Sequence, residues 1–180
     1  MPRIPYQPED LAEPAALVEA IRARRGGRLL HLDRMLLHSP PLAAGWNSHL
    51  KAVRTGLALD PRLRELAMCV VASLNGAHYE FHHHAPEYLR AGGTAQQVEA
   101  LRQPEQAVRQ PGALFDEASL AALRLTIEMT RQVAVGDGTF EAVRTALGDR
   151  ATVELVGVIA TYNMVSRFLV ALGIEPEQPG

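Results

Sequence analysis

The chain has 180 residues, 18 of them Lys or Arg and 20 Asp or Glu, for a formal net charge of −2. That length suits one compact domain with a substantial core, and the near balance of charge leaves no basic excess to attract nucleic acid or an anionic membrane. A single cysteine excludes an internal disulfide framework.

The first residues, MPRIPYQPEDLAEP, lack the apolar core of a signal peptide. The longest uncharged apolar runs fall short of the roughly 20 residues a membrane span requires. The expectation is a soluble cytoplasmic protein with no nucleic-acid or membrane partner. Residues 1–13, with Pro2, Pro5 and Pro8, read as an extended arm that packs on its own subunit or on a neighbour; residues 14–180 read as a single domain. Pro14 opens a helix with Leu17 and Ile21 inside and Glu19, Arg22, Arg24 and Arg25 outside, and Gly26-Gly27 stops it. A short helix is expected over Leu29–Leu37. Ser39-Pro40-Pro41 caps a third, with Leu42, Trp46, Leu50 and Val53 roughly in line on one side. Trp46 is a core or subunit-contact residue, or else a pocket wall.

The stretch from Pro61 to Gly92 carries the chemistry. Asp60-Pro61 is an N-cap followed by proline at the first helical position, and the apolar run to Leu74 predicts a buried helix. Asn75-Gly76 tolerates the left-handed conformation that ends helices. In one unbroken helix Glu65 and Glu80 would stand about 22 Å apart; a reversal at Asn75-Gly76 lets them share a site. The next helix starts near Ala77 and puts Glu80 in its first turn, with His84 and Glu87 at i+4 and i+7 on the same face. A carboxylate one turn before an imidazole can pass a proton between groups of different basicity. The same spacing also fits a solvated face with an ordinary Glu–His pair.

Beyond this pair of helices, Thr94-Ala95-Gln96-Gln97 is a capping box opening a short helix to about Gln103. Gln103–Gly112, with Pro104 and Pro111, reads as a surface linker. Asp116 caps a long helix with Leu120, Leu123, Ile127 and Val133 on its apolar face. Gly136-Asp137-Gly138 precedes a helix opened by Thr139. Asp149 caps the last helix, which carries Val153, Val156, Ile159 and Phe168 and ends at Gly173. No alternating strand pattern occurs, so the fold class is all-α, with about eight or nine helices. Glu65-Leu66 and Asn75 in the first buried helix are echoed by Glu154-Leu155 and Asn163 in the last. An old duplication and two solutions to one packing problem both account for that.

The order Arg64-Glu65-Leu66, an apolar run, Asn75-Gly76, Tyr79-Glu80-Phe81, His84 and Arg90-Ala91-Gly92 resembles the carboxymuconolactone decarboxylase family, whose other branch is the alkylhydroperoxidase D-like proteins. The segment Leu120–Gly173 is similar to the C-terminal part of the longer members. The resemblance implies an alkylhydroperoxidase D-like helical bundle with its site on the helices over residues 60–92, and a homo-oligomer, trimer or hexamer. In the peroxidase branch the site is a glutamate, a Cys-x-x-Cys pair and a histidine. Glu65 and His84 stand where that glutamate and histidine would be, and Ala77 and Glu80 where the two cysteines would be. Both thiols are therefore missing, and peroxide reduction by a dithiol has no nucleophile here.

On this basis Glu65, Glu80 and His84 are the candidate catalytic residues, with Tyr79 and His83 as candidate substrate-binding residues. Burial of Glu65 is expected to raise its pKa towards neutrality. Tyr79 is divided between core and pocket. His78 and His82 have i, i+4 ligand spacing, but they lie on a different side of the helix from Glu80 and His84 and lack the H-E-x-x-H order, so no metal site is assigned. Cys69 reads as a small buried core residue. The residues imply proton transfer and the resemblance implies the substrate class, so the expectation is acid/base chemistry, decarboxylation or double-bond isomerisation, on a small carboxylated lactone or enol-type substrate. Such a substrate takes up the electrons itself, so no cofactor is expected. Two other classes stay open. One is an antioxidant peroxidase-like protein, opposed by the missing cysteine pair. The other is a non-catalytic binding or assembly protein of the same fold, opposed by the acid/base groups at all three positions.

Overall fold

A computed structural model of the chain describes residues 1–109 and 114–177, and every regular element among them is a helix. The nine are α1 (Ala15–Arg24), α2 (His31–Leu36), α3 (Pro40–Thr55), α4 (Pro61–Leu74), α5 (His78–Arg90), α6 (Ala95–Leu101), α7 (Pro104–Ala107), α8 (Glu117–Gln132) and α9 (Asp137–Leu172). They fall into two compact units, Met1–Leu57 with Ala171–Gly180, and Ala58–Val170.

The first unit buries Val18 and Ile21 of α1, Leu32, Met35 and Leu36 of α2, and Ala43, Trp46, Leu50 and Val53 of α3. Leu42, expected on the inner face of α3, is 46% exposed. Spacings of 3, 4 and 3 from Ala43 follow the 3.6-residue repeat, whereas Leu42 lies one position, about 100°, off that line. Arg24 and Arg25, expected outside, are only partly exposed, because the carboxylate of buried Asp33 pairs with both (3.3 and 3.1 Å). Burial, with the Arg25 charge second, pushes the Arg24 guanidinium down to about 10. The N-terminal arm packs within this unit: the Arg3 N–H donates to the Leu172 carbonyl (2.9 Å), and Tyr6 stacks on His31 with ring centroids 4.3 Å apart.

The second unit is built around α4. Asp60 accepts the Arg62 N–H at 2.7 Å and Pro61 takes the first helical position, so the helix starts where the local sequence directs. From Leu66 to Ala72 no residue is more than 1% exposed. A helix apolar on all sides becomes the centre of its unit; α5 and α8 both pack on it. Asn75 forms the C-cap, and Gly76 follows at φ 65°, a left-handed value that an L side chain adopts only at a cost. The chain then reverses into α5.

Elsewhere in this unit the capping box of Thr94 and Gln97 forms as the sequence directs. The expected linker differs: Pro104–Ala107 is a helical turn with Pro104 buried, and the Pro111-Gly112 part of that expectation lies outside the described residues. On α8 the buried side is Ala122, Leu123, Leu125, Thr126 and Thr130. Val133, expected on it, is the C-cap at φ 67° and 82% exposed, because the helical repeat ends at Gln132. Helix α9 begins at Asp137 rather than Thr139 and breaks at Gly148 (φ 77°, ψ 167°), so the final helix starts beside Asp149. Val153 is 70% exposed, while Thr152, Leu155, Val158, Ile159 and Tyr162 turn inward. By length and composition α9 could span a membrane, alone among the described helices. After Gly148, however, it carries core residues and hydrogen bonds to α8 and to the α4 C-cap.

Candidate functional site

Glu65 begins the second turn of α4, and His84 lies in the middle of α5. The reversal at Asn75-Gly76 brings them together: His84 Nδ1 and Glu65 Oε2 are 2.7 Å apart. Both are buried, Glu65 at 5% exposure and His84 at 7%. Arg64 Nε donates to the other carboxylate oxygen at 3.2 Å.

This corrects the expectation for the charge of Glu65. Burial does push its carboxyl up, but the His84 hydrogen bond and charge, with Arg64 behind them, outweigh burial and hold it below its ordinary value. Glu65 is thus a carboxylate at neutral pH, an acceptor only. The proton between the two groups then belongs to His84 Nδ1, which leaves Nε2 as the nitrogen that can take up or deliver a proton.

Glu80 occupies the first turn of α5 at 1% exposure, one helical turn before His84. Cys69, one turn after Glu65 on α4, is fully buried. Burial above all, then the charges of Glu65 and Glu80, pushes its thiol up, so both carboxylates lie within electrostatic reach of it. A thiol in such surroundings is not a nucleophile.

The remaining candidates divide. Tyr79 is buried at 4%, and its ring packs on that of His83, centroids 4.4 Å apart and planes tilted by 54°. These two stand one position, about 100°, around α5 from Glu80 and His84. Glu87, expected on the site face, is exposed and pairs with Arg90; Tyr88 takes the buried position instead and donates to Gln97 Oε1 at 3.1 Å. His78 and His82 are exposed, and no group of three or more His, Cys, Asp or Glu side chains among the described residues could hold a metal.

One neighbour of the site was missed from sequence. Tyr162 of α9, 0% exposed, meets the His84 ring edge to face, centroids 4.9 Å apart and planes at 85°. The available signal was Tyr162-Asn163, a polar pair inside the apolar run of the last helix. Glu154, the sequence echo of Glu65, does a different job: it accepts the Leu59 N–H at 2.7 Å and pairs with Arg150.

Residues 40–128 match the model of the carboxymuconolactone decarboxylase family. No curated protein matches the sequence. Among solved structures the chain is similar to an uncharacterized peroxidase-related protein with an alkylhydroperoxidase AhpD core from Ralstonia eutropha JMP134, at TM-score 0.82 and 16% identity over 98% of this chain and 93% of that one. A peroxidase-related protein from Silicibacter sp. TM1040 gives TM-score 0.79 at 19% identity, over 97% and 90% of the two chains. The debrominase Bmp8, in a cysteine-to-alanine variant bound to 2,3,4-tribromopyrrole, gives 0.80 at 17%, over 98% and 94%. Likeness at these identities establishes a common helical fold and no activity.

Proposed function

We propose that the chain, whose residues 40–128 match the model of the carboxymuconolactone decarboxylase family, is an acid/base enzyme acting on a small carboxylated lactone or enol-type substrate. The observation that carries this reading is the buried hydrogen bond of 2.7 Å between Glu65 and His84. A carboxylate fixed on Nδ1 stabilises the imidazolium and orients Nε2, as a working acid/base histidine requires.

In a decarboxylation the bond between carbon and the carboxylate breaks and CO₂ leaves. The electron pair passes into the conjugated carbonyl system as an enolate, and His84 delivers a proton from Nε2 to carbon. The reaction consumes one proton, which solvent restores to Nε2, with the Glu80 carboxyl taking up that proton and passing it on. In a double-bond isomerisation the same two groups remove a proton at one carbon and deliver it at another, with no change in oxidation level. Electrons are accommodated by the substrate in both reactions, so the side chains need only move protons. Thiol chemistry is a poorer fit, because the single cysteine is buried and its thiol is pushed up.

The test is CO₂ release and loss of enone ultraviolet absorption across small carboxylated lactones and β-keto or vinylogous acids. Wild type is run beside Glu80→Gln and His84→Ala. Turnover that falls by about a hundredfold or more in both variants supports the reading. Turnover that survives both changes moves the chemistry off α5 and rejects it.

A further inference from the structure

We propose that the outer face of α9 after Gly148 is a self-association surface, on which a second copy of this chain packs antiparallel about a two-fold axis passing between Gly157 and Ala160. Val153, Gly157, Ala160 and Met164 recur at intervals of four, three and four residues, the spacing of an apolar helix seam. All four are exposed, Val153 at 70% and Met164 at 42%. The opposite side of the same helix fills the core of its unit with Leu155, Val158 and Ile159. The seam is apolar surface that the fold itself does not use, and such a surface marks an interaction site.

Gly157 supports this independently. A methyl group there would meet no atom of the chain within 4 Å, and glycine weakens a helix interior. Packing within the chain thus gives no reason for a glycine at this point. A second helix does, because Gly157 and Ala160 at the centre let two backbones approach closely while Val153 and Met164 close over them on either side.

The charges at the two ends identify the second helix. Asp149, its side chain 85% exposed, and Arg167 are five turns of 3.6 residues apart, so they stand on one line beside the seam. Arg167 engages Asn163 through Nη1, at 2.9 and 2.7 Å, which leaves Nη2 and Nε for another carboxylate. Asp149 faces Arg144 at 3.7 Å, and Arg150 is drawn to Glu154 of its own helix at 3.0 Å. In an antiparallel pair Asp149 of each copy comes opposite Arg167 of the other, while Val153 lies over Met164 and Gly157 over Ala160. A parallel pair would set Asp149 on Asp149 and Arg167 on Arg167. The complement of this face is therefore the same face turned through 180°, which gives a closed, isologous dimer. One helix pair buries less than the roughly 1,200–2,000 Å² of a standard interface, so the association is reversible.

The experiment uses the full chain carrying both Val153→Cys and Met164→Cys, oxidised at high micromolar concentration and mapped by peptide mass spectrometry. Within one helix the two positions are about 16 Å apart, beyond the reach of a disulfide, so any bond between them joins two copies. Buried Cys69 is monitored in wild type as background. Expected is a covalent dimer linked from position 153 to position 164, in preference to 153 to 153 or 164 to 164. No covalent dimer, or same-position links as frequent as crossed ones, overturns the proposal. Should the double variant not fold, light scattering on wild type and Met164→Glu decides. Expected is a wild-type mass at an even multiple of the chain mass that halves in Met164→Glu; a wild-type monomer or trimer, or equal masses, overturns the proposal. A monomeric wild type that floats with phosphatidylcholine vesicles overturns it as well, and gives this face to a lipid surface.

Discussion

Glu65 and His84 stand 19 positions apart in the chain, and their side chains meet at 2.7 Å in a buried contact. Their pairing fixes both the charge of the carboxylate and the tautomer of the imidazole, and it has a consequence for stability in acid. Glu65 titrates below its ordinary value in the folded protein, against the push of burial, because of His84 and Arg64. The unfolded chain therefore binds more protons than the native one as pH falls, and stability declines through that window. The contribution of Glu65 is present above its ordinary value of 4.5 and is lost as pH drops through the folded value. Urea unfolding from pH 7 to pH 3 is expected to give a shallower pH dependence for Glu65→Gln than for wild type; equal slopes would mean that Glu65 is not depressed.

The amide cluster around Asn163 predicts a stability cost at a site distant in sequence from the candidate catalytic residues. Asn163 Oδ1 accepts from Asn75 and Arg167 and its Nδ2 donates to Thr130 Oγ1; Asn163→Ala removes those three bonds, while Asn75 keeps its bond to Ser166 and Arg167 its bond to the main-chain carbonyl of position 163. A loss of about 1–3 kcal/mol in unfolding free energy is expected, read by urea or thermal denaturation. A variant as stable as wild type would show that water replaces the amide without penalty.

Asp116 gives a second acid-sensitive contribution. Burial works to raise its carboxyl, but hydrogen bonds from Ser119 and Arg62 outweigh it and hold it down to about 2. Its Oδ1 accepts the Ser119 N–H at 2.8 Å, capping α8. Asp116→Ala should cost about 1 kcal/mol at neutral pH. That difference should shrink as pH falls from 3.8 towards about 2, and a difference that persists below that range would assign it to packing instead of charge.

Cys69 is fully buried and its thiol is pushed up by burial and by the Glu65 and Glu80 carboxylates. Native protein at neutral pH should resist iodoacetamide and label fully in denaturant, as mass spectrometry would report. Cys69→Ala should keep whatever turnover the wild type has, and should neither gain nor lose dithiol-dependent peroxide consumption. Rapid native labelling would put the thiol at the surface and reopen thiol chemistry.

Much of the fold could be read from short stretches, because the signals are local. The start of α4 follows from Asp60 and Pro61, and its burial from an apolar run too continuous to leave an exposed face. Its end follows from Asn75-Gly76, and the start of α6 from the Thr94–Gln97 box. Where the reading failed, one residue decided the phase of a helix: Leu42 beside Ala43, or Val133 one step past the last turn of α8. A hydrophobic pattern indicates a face to within about one residue, about 100° of helix, and packing partners choose within it.

The sequence by itself determined that the chain is helical and that a glutamate and a histidine flank a helix reversal, since caps, breakers and apolar periodicity act over a few residues. The tertiary structure decided which side chains share the site and in what charge state. It turned Glu87 out to Arg90, brought Tyr162 of α9 onto His84, and lowered Glu65 where burial alone would have raised it. Those outcomes depend on distances between residues remote in sequence and on the balance of desolvation against neighbouring charge, neither of which exists until the helices pack.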